Sequence, residues 1–253
     1  MIVRERIDTA VILAAGMGTR LGESGSRCPK GFLRLGERPI VEESILRLRA
    51  SGIGRVVIVT GHRAEFYAAL RDRYRDLIST VHNPRYSDSG SMYSLFLART
   101  ELNAGFLLLE SDLIYESRAL RETLDFARRD VVLLSEPTGA GDEVFVEAPE
   151  GRLRGMSKRR EVLGSVEGEL VGICKISTGV YVAMCANAER AFADTLHLSY
   201  ETDSLVAVAR DHDIRCHRVD DLGWLEIDDP DHLRRARESV YPRILAADPL
   251  PPD

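Results

Sequence analysis

Apolar runs rich in β-branched residues alternate along the first half of the chain with segments in which apolar residues recur at helical spacing. The alternation starts with a predicted strand at 10–14, a helix at 40–50 and a strand at 55–61. It continues with predicted helices at 64–74, 91–102 and 117–128 and predicted strands at 78–82, 106–112 and 131–135. This order is typical of βαβ units, whose parallel strands are buried on both faces. We therefore predict an α/β protein with a doubly wound, mostly parallel, Rossmann-like sheet.

The pattern changes after Pro137, where short runs of alternating polarity are separated by glycines. We interpret 138–177 as a small antiparallel insertion that covers one side of a site at the sheet edge. Helical spacing then returns, and the remaining predictions are helices at 178–195, 201–211 and 230–239 and strands at 214–219 and 224–228. Since no segment has the length and composition of a linker, residues 1–253 are expected to form a single domain, with 246–253 frayed at its end.

Composition narrows the classes of function. Of 253 residues, 44% are hydrophobic and 29% are charged, which is enough to bury a full core. A formal net charge of -6 argues against a nucleic-acid binder, because such proteins carry a basic excess. No apolar window reaches the length of a membrane span and the first residues lack a signal-peptide core, so we expect no membrane insertion and a cytoplasmic location. Four scattered cysteines and six histidines without ligand spacing leave carboxylates as the expected ligands of any metal.

A glycine turn follows the first predicted strand. Residues 16–22 read GMGTRLG, which lacks the third glycine of a dinucleotide fingerprint, and the spacing of a P-loop is absent. Because LAA precedes the turn and Pro29-Lys30 follows it, the segment resembles the nucleotidyltransferase signature of the sugar-phosphate and polyol-phosphate pyrophosphorylases. The resemblance implies that backbone N–H groups bind a nucleoside triphosphate, while Arg20 and Lys30 neutralise charge at the α-phosphorus and the leaving pyrophosphate. The expected nucleotide-binding residues of this segment are Leu13, Ala14, Ala15, Gly16, Gly18 and Thr19. The alternative interpretation is a flexible surface loop with scattered basic residues.

Acidic side chains end two of the predicted strands. Asp112 follows a buried strand at its carboxyl end, where open α/β sheets bind their ligands. Glu226 and Asp228 lie in the turn before the last predicted helix. Because Mg²⁺ prefers oxygen ligands, Asp112 and Asp228 are the expected metal pair, with Glu226 as a weaker candidate. The alternative role for these acids is helix capping, by Asp112 at one helix and by Asp228 or Asp229 at the other.

Further motifs recur in order from about residue 9 to residue 244. They are NPRY at 83–86, GSMYSL at 90–95, FLLLESDLIYE at 106–116, DEVFVE at 142–147, MSK at 156–158, ELVGICKIS at 169–177 and EIDD at 226–229. With these motifs the chain closely resembles the 2-aminoethylphosphonate cytidylyltransferases, relatives of the bacterial phosphocholine cytidylyltransferases. The resemblance implies transfer of CMP from CTP to 2-aminoethylphosphonate by Mg²⁺-assisted, in-line attack that releases pyrophosphate. A homodimer is compatible with the family.

Three alternatives to this function stay open. The first is a phosphocholine cytidylyltransferase, whose quaternary ammonium substrate prefers an aromatic cage over hydrogen-bonding carboxylates. The second is a nucleotidyltransferase that acts on a sugar or polyol phosphate. The third belongs to another class, a noncatalytic nucleotide sensor that kept the fold and lost turnover.

The resemblance also implies which residues bind the base. The turn formed by Gly90, Ser91 and Met92 is expected to lie over the cytosine and read its edge, with Asn83 and Ser89 as weaker candidates beside it. Small residues suit this position because a flat base needs close approach of the backbone. Ser91 is also a suitable N-cap for the helix that follows it.

The acceptor side is predicted from a few charged residues. Lys158 matches the lysine that the family places against the phosphate or phosphonate, and we expect it to be both catalytic and acceptor-binding. Lys175 lies inside an apolar strand and should be paired or functional, so an acceptor oxyanion is an expected partner. For the acceptor's ammonium group, Glu143 and Asp203 are the expected acids. Asp142, Glu201 and Tyr200 are also available, and solvated surface charge is the alternative interpretation of each of these acids.

Overall fold

The computed structural model describes residues 6–22 and 27–250. Its strands are β1 (Thr9–Ala14), β2 (Arg55–Thr60), β3 (Ile78–His82), β4 (Phe106–Glu110), β5 (Leu113–Tyr115), β6 (Val131–Ser135), β7 (Phe145–Glu147), β8 (Gly155–Ser157), β9 (Gly168–Ile176), β10 (Arg215–Arg218) and β11 (Trp224–Glu226). Its α-helices are α1 (Ile40–Ala50), α2 (Ala64–Arg73), α3 (Ser91–Leu97), α4 (Arg118–Asp125), α5 (Thr178–Ala191), α6 (Val206–Val208), α7 (Pro230–Arg235) and α8 (Tyr241–Ala247). A π-helical turn, Tyr200–Leu205, leads into α6, and a second one, Ala236–Val240, joins α7 to α8. Within the described residues, no helix is long and apolar enough to cross a membrane.

The central sheet has the strand order β10-β6-β9-β4-β1-β2-β3. β1 pairs in parallel with β2 and β4, β2 pairs in parallel with β3, and β10 pairs in parallel with β6. The predicted α/β class with a mostly parallel sheet is therefore confirmed. Two short strands, β5 and β11, form a separate antiparallel pair next to the carboxyl edge of β4.

The antiparallel segment after Pro137 differs in extent from the prediction. Its last strand, β9, lies between β4 and β6 in the central sheet and is antiparallel to both. All nine residues of β9 are buried, so this strand belongs to the middle of the core. Only β7 and β8 extend from the sheet as a small antiparallel arm, in which β7 pairs with β8 and with the start of β9.

Strand β1 shows why the sheet is covered on both faces. Val11 and Leu13 pack into one apolar cluster with residues of α3 and α5. Ala10, Ile12 and Ala14 pack into a second cluster with residues of α1 and α2. The continuous apolar run of this strand is what burial on both faces requires. The backbone leaves the core directly after Ala14 and enters the glycine turn at the carboxyl edge of the sheet.

The C-terminal helices are anchored to the domain up to residue 248. Leu233 and Ile244 belong to a third apolar cluster, which also contains Ile227 of the acidic turn. The carboxylate of Asp248 accepts hydrogen bonds from the buried guanidinium of Arg47 and from the backbone N–H of Ser117. The prediction of a frayed end from residue 246 is therefore wrong for residues 246–248, because a buried arginine holds the end of the chain. Residues 251–253 lie outside the described part of the chain.

Candidate active site

The glycine turn, the base-side segment and both acidic strand ends meet in one cavity at the carboxyl edge of the sheet. The cavity encloses about 890 Å³, and Gly16, Lys30, Ser91, Asp112 and Asp228 contribute to its wall. This is the edge at which open α/β sheets bind ligands. We call this space the nucleotide cavity.

The glycine turn reaches the nucleotide cavity with part of its predicted residues. Leu13, Ala14, Ala15 and Gly16 line it. Gly18 has a φ of 64°, a left-handed conformation that glycine adopts at least cost, and it starts a single 3-10 turn of Thr19–Leu21. Gly18 and Thr19 shape this turn and bring Arg20 to the cavity wall. Residues 23–26 of the predicted loop lie outside the described residues.

Two basic side chains and two aspartates form an ion-pair network at the floor of the cavity. Lys30 Nζ lies 2.7 Å from Asp112 Oδ2 and also donates to Asp228 Oδ1. The second oxygen of Asp228 lies 2.6 Å from a guanidinium nitrogen of Arg20. Arg20 in turn approaches Asp142 at 3.5 Å. With Asp142 the network joins five side chains from separate loops of the chain.

The network fixes the charges of its members. Burial opposes the charge on Lys30, but the carboxylates of Asp112 and Asp228 raise its pKa above the ordinary value. Burial also opposes ionisation of Asp228, but its hydrogen bond with Asp142 and the nearby charges of Lys30 and Arg20 hold its pKa well below the usual range. Lys30 is therefore a cation and Asp228 an anion throughout the physiological range.

Three carboxylates beside Lys30 have the composition of a divalent-cation site. Asp112, Glu226 and Asp228 each offer an oxygen, and these oxygens lie within 4.8 Å of one another. The backbone fixes the group, since Ile227 N–H donates to Asp112 O at 3.0 Å and Glu226 pairs with Leu113. All-oxygen donors of this kind suit a hard cation such as Mg²⁺. The pKa of Glu226 lies well above its ordinary value, because of burial and of the charges of Asp112 and Asp228.

The alternative role of helix capping belongs to the neighbouring residue. Asp229 is the N-cap of α7, and its Oδ1 accepts the backbone N–H of His232 at 2.8 Å. Pro230 occupies the first helical position, where its missing N–H has no cost. The side chain of Asp228 is thereby left to face Lys30 and Arg20.

The predicted base-side residues separate into a cavity wall and a support behind it. Gly90 and Ser91 line the nucleotide cavity. A Cβ on Gly90 would lie 2.1 Å from the carbonyl oxygen of Leu198, so only glycine fits there. Ser91 Oγ accepts the backbone N–H of Tyr200 at 2.9 Å and donates to Glu201 at 3.4 Å. Ser91 thus connects the base side to the acidic side of the site.

Asn83 and Met92 lie behind this wall, against the expectation that they contact the nucleotide. Asn83 is fully buried, and its amide donates to the hydroxyls of Ser89 and Ser94 at 3.1 and 2.9 Å. Its Oδ1 accepts the backbone N–H of Arg85 at 2.8 Å. Met92 is fully buried in the apolar core. Neither residue lines the cavity; Asn83 supports the cavity-lining hydroxyls of Ser89 and Ser94, and Met92 packs in the core.

A second, strongly acidic cavity adjoins the first. It is an open cleft of about 570 Å³, part of which is open to solvent, and we call it the acceptor cavity. Five of its lining residues in the described part of the chain are acidic and one is a lysine; they are Glu110, Asp142, Glu169, Glu201, Glu226 and Lys158. Tyr200 and Trp224 add two aromatic side chains. Lys158, Glu110, Glu201 and Glu226 line both cavities, so the two spaces share a wall.

All five acids of the acceptor cavity have pKa values above the ordinary ones, and Glu110 and Glu169 illustrate the causes. The pKa of Glu110 is raised well above its ordinary value by burial and by the neighbouring charges of Asp112 and Glu226. Burial raises the pKa of Glu169 to about 7, although hydrogen bonds from the backbone N–H and hydroxyl of Thr138 oppose the shift. Carboxyls in such environments gain most from a cation that enters the cavity.

Lys175 is the clearest correction to the predicted site. Its Nζ donates to the carbonyl oxygens of Leu124 and Phe126 at 3.2 and 2.8 Å. These carbonyls lie at the C-terminal end of α4, where helices have unsatisfied acceptors. The lysine was expected to bind an acceptor oxyanion, and this expectation is wrong because main-chain oxygens satisfy the ammonium away from both cavities.

Glu143 and Asp203, the two acids expected to bind the acceptor, lie outside the lining of both cavities. Glu143 accepts the backbone N–H of Gly141 at 3.1 Å, and Asp203 accepts that of Ser199 at 2.8 Å. Their neighbours Asp142 and Glu201 line the acceptor cavity instead. The sequence alternatives Asp142, Glu201 and Tyr200 are thus closer to the site than the preferred pair.

Three residues of the acceptor cavity escaped the sequence prediction, namely Glu110, Glu169 and Trp224. Glu110 is the last residue of β4, close to Asp112, and Glu169 is the second residue of β9. Trp224 begins the strand that ends in the acidic turn. The criterion of a polar residue at the carboxyl end of an apolar strand would have found Glu110, whereas Glu169 reaches the same edge only because β9 is antiparallel to its neighbours.

Comparison with protein families and curated proteins places the chain among nucleotidyltransferases. Residues 10–219 match the model of the MobA-like NTP transferase domain. The CMP-5'-(3-aminopropyl)phosphonate synthase of Streptomyces rubellomurinus is 30% identical over 90% of this chain and 38% of its own length. A bifunctional IPC transferase and DIPP synthase of Thermococcus kodakarensis is 29% identical over 92% of this chain and 50% of its own length. The 2-aminoethylphosphonate cytidylyltransferase of Lancefieldella rimae is 30% identical over 42% of this chain and 43% of its own length. The chain therefore spans half or less of the length of these relatives.

Solved structures share the fold over nearly the whole chain. The inositol-1-phosphate CTP transferase from T. maritima superposes with a TM-score of 0.82 at 19% identity, covering 97% of this chain and 99% of the other. The CTP:phosphocholine cytidylyltransferase from Streptococcus pneumoniae superposes with a TM-score of 0.76 at 21% identity, covering 92% and 99%. These similarities show the fold, and the chemistry has to be argued from the residues of the two cavities.

Proposed function

Because the chain belongs to the family of the MobA-like NTP transferase domain, we propose that it transfers CMP from CTP to a small phosphonate or phosphate that carries a primary ammonium group, with 2-aminoethylphosphonate as the expected acceptor. The observation that carries this proposal is the acceptor cavity. It lies against the nucleotide cavity, contains one lysine for the oxyanion and lines the remaining space with five acids. The names of two relatives, which refer to an aminopropylphosphonate and an aminoethylphosphonate, agree with this chemistry.

The nucleotide cavity supplies the groups that a triphosphate needs. Backbone groups from Leu13 to Gly16 lie at the carboxyl end of β1, where no side chain of Gly16 limits the approach of a phosphate. Arg20 and Lys30 are the cations that face the reacting phosphate. Asp112 and Asp228, with Glu226 beside them, would hold Mg²⁺, and the all-oxygen donor set fits it. A bound Mg²⁺ neutralises charge on the phosphates and polarises the bond that breaks.

The acceptor cavity divides into an anion-binding and a cation-binding part. Lys158 lines the wall that both cavities share, so a phosphonate group that is bound by the lysine ammonium faces the α-phosphate of the nucleotide. Glu169 and Glu201 are acids that a primary ammonium group can meet with hydrogen bonds as well as charge. Tyr200 and Trp224 offer apolar faces to the carbon chain between the two charged ends.

The reaction then follows from positioning and charge. An oxygen of the phosphonate attacks the α-phosphorus of CTP in line, the new P–O bond forms, and the bond to pyrophosphate breaks. The attacking oxygen is already anionic at neutral pH, so no general base is required. Lys30 and Arg20 neutralise the charge that develops on the phosphate oxygens, and their ion pairs with Asp112 and Asp228 keep both side chains oriented.

Phosphocholine is the second candidate acceptor. The two aromatic side chains of the acceptor cavity, Tyr200 and Trp224, are the observation in its favour, since a quaternary ammonium binds aromatic faces. The five acids favour a primary amine over it, because only an N–H group can donate hydrogen bonds to carboxylates.

The cytoplasmic location and the homodimer stay predictions.

The proposal is tested by measuring pyrophosphate release with CTP and Mg²⁺ in parallel assays that contain 2-aminoethylphosphonate, phosphocholine or inositol 1-phosphate. Each assay is repeated with UTP and ATP in place of CTP. We expect turnover with CTP and the aminophosphonate to exceed that of every other pair. A preference for phosphocholine would keep the mechanism and reject the primary-amine acceptor. Tight binding of CTP without pyrophosphate release in any assay would favour a nucleotide sensor.

A further inference from the structure

One side of the acceptor cavity is formed by the connection between β6 and β7. We call residues 136–144 the acceptor loop. Thr138, Ala140 and Asp142 of this loop line the cavity, while Gly139 and Gly141 have φ values of 68° and 100°. Positive φ at both glycines lets the loop turn so that its alternate residues face inward. The position of the loop therefore sets the width of the cavity.

Helix α7 holds the loop through two main-chain carbonyls. Arg235 donates to the carbonyl oxygen of Thr138 at 2.6 Å. His232 Nε2 lies 3.1 Å from the carbonyl oxygen of Ala140. The first turn of the same helix begins directly after Asp228, the aspartate that pairs with Lys30. One short helix thus touches both the acidic turn and the acceptor loop.

His232 makes the connection with a single buried ring. Its side chain is 5% exposed, and its Nδ1 lies 3.4 Å from the backbone nitrogen of Asp228. A backbone N–H can only donate and a carbonyl can only accept, so Nδ1 accepts from Asp228 while Nε2–H donates to Ala140. These two bonds select the neutral tautomer with its proton on Nε2. Nε2 also lies 3.6 Å from Asp142 Oδ1, on the side of the loop that faces Arg20.

The helix itself does not need this histidine. Asp229 caps the N-terminus of α7, Pro230 starts it, and Leu233 packs it against the third apolar cluster. An apolar residue at position 232 would keep the N-cap and the apolar packing of the helix, but the N–H of Asp228 and the carbonyl of Ala140 would lose this partner. The two ring nitrogens bond to the backbone of Asp228 on one side of the site and of Ala140 on the other, so the ring can fix the distance between these two segments.

We propose that His232 is a positioning residue that joins the acceptor loop to the Asp228 turn, so that the acceptor cavity keeps the width in which a bound acceptor reaches the nucleotide. The inference deepens the proposed function and rests on it for the identity of the two ligands. It assigns to His232 no contact with substrate. Its effect passes through Ala140 on one side and through the backbone of Asp228 on the other.

Two substitutions separate the two bonds. In His232→Asn, the side-chain oxygen can take the place of Nδ1 and accept from Asp228, but the donor to Ala140 is lost. In His232→Gln, the side-chain NH₂ can take the place of Nε2 and donate to Ala140, but the acceptor for Asp228 is lost. His217→Asn is the matched control, because His217 lies on β10 at the edge of the sheet and pairs with Glu122.

Hydrogen exchange of the free protein gives a readout that does not depend on activity. For His232→Asn we expect faster amide exchange in 136–144 and unchanged exchange in 226–229. For His232→Gln we expect faster exchange in 226–229 and unchanged exchange in 136–144. His217→Asn should change neither segment. Equal exchange in 136–144 for the wild-type protein and His232→Asn would overturn the proposal, as would a uniform increase over the whole chain, which indicates general destabilisation.

Steady-state kinetics provide the second readout. For His232→Asn we expect the KM for the acceptor to rise by about fivefold to tenfold, the effect of one lost hydrogen bond, while the KM for CTP stays within about twofold. For His232→Gln the acceptor KM should stay close to the wild-type value. Equal increases of both KM values in His232→Asn would contradict a role in loop position. If the wild-type protein releases no pyrophosphate with any acceptor while the exchange results are as expected, the proposed function fails and the connection through His232 stands.

Discussion

At the residue scale, the site consists of charged side chains whose ion pairs with one another fix their positions. Lys30 contacts both Asp112 and Asp228 and is mostly buried, so its charge and position are fixed before any substrate binds. Fixed charges of this kind stabilise a transition state without the cost of reorganising solvent. The raised pKa of Lys30 adds to folding stability below the ordinary lysine pKa, and this contribution is lost as the pH rises through the raised value.

Replacing Lys30 by alanine should therefore remove turnover and leave the fold. We expect kcat to fall by at least about a hundredfold, which is typical for the loss of one preorganised electrostatic group. Pyrophosphate release and far-UV circular dichroism measure the two effects. Arg34→Ala is the control, because Arg34 is an exposed basic residue four positions after Lys30 that lines neither cavity. Near-normal turnover in folded Lys30→Ala would reject the assignment of this lysine.

Glu169 makes acceptor binding depend on pH in a direction that follows from its pKa. Burial raises this pKa to about 7, so the side chain is mostly neutral at pH 6 and mostly ionised at pH 8. An ammonium group is attracted only by the ionised form. The KM for 2-aminoethylphosphonate should therefore decrease by up to about tenfold from pH 6 to pH 8, in proportion to the ionised fraction.

The acceptor's own titration is removed from this measurement by a variant and by an analogue. Glu169→Gln should lose the part of the pH dependence that is due to Glu169, and 2-hydroxyethylphosphonate should give the same profile with both proteins. An identical pH profile of the aminophosphonate KM in the wild-type protein and Glu169→Gln would show that Glu169 does not meet the ammonium group.

At the scale of elements, the polarity pattern predicted the positions of strands and helices well. It predicted less well which elements lie next to each other in the fold. β1, β2 and β4 were predicted because a strand buried on both faces reads as a continuous apolar run. The central place of β9 was missed, since the polarity of a strand does not say which strands lie beside it. Lys175 was misjudged for a related reason, because the carbonyl oxygens that satisfy it belong to the end of α4 and leave no mark in the sequence.

The sequence predicted more residues correctly for the nucleotide cavity than for the acceptor cavity. Family resemblance pointed to Lys30, Asp112 and Asp228, and the structure brings these three together. The acids of the acceptor cavity come from separate strands and loops, so their proximity depends on the whole fold. Glu143 and Asp203 were preferred over their neighbours, although inward and outward orientation in a loop cannot be read from residue type.

The correction of Lys175 leads to a prediction about stability. Lys175→Met keeps the length and the buried stem but leaves the carbonyls of Leu124 and Phe126 without this donor. We expect the free energy of unfolding to decrease by about 1–3 kcal/mol, measured by urea denaturation. The KM for the acceptor should not change. A raised acceptor KM in a variant of unchanged stability would return Lys175 to the acceptor site.

The anchoring of the C-terminal helices gives a second prediction at this scale. Asp248→Ala removes the carboxylate that Arg47 and the N–H of Ser117 share, and the side chain of Arg47 is only 3% exposed. We expect the free energy of unfolding to decrease by about 2 kcal/mol. Asp231→Ala is the matched control, since Asp231 pairs with Arg234 at the surface and such pairs contribute little. Equal stability of the two variants would contradict the anchor.

At the scale of the whole molecule, the sheet and its antiparallel arm bring two cavities into contact. The sheet supplies the nucleotide cavity from the carboxyl ends of β1 and β4, and Val144 and Lys158, which flank the arm formed by β7 and β8, line the acceptor cavity. Lys158 directly follows β8 and lines both cavities, whereas Arg159 and Arg160 line neither. The arm therefore selects one side chain from a basic cluster that looks uniform in the sequence.

This selection predicts a difference between neighbouring residues. Lys158→Ala should raise the acceptor KM and lower kcat by at least about tenfold, because under the proposed function the only lysine of the acceptor cavity within the described residues binds the attacking oxyanion. The dissociation constant of CTP, measured by calorimetry without acceptor, should change much less. Arg159→Ala removes an equal charge one position away and should leave all three quantities near their wild-type values. If both variants lose activity to the same extent, the arm contributes a general positive field, and the contact between Lys158 and the acceptor is rejected.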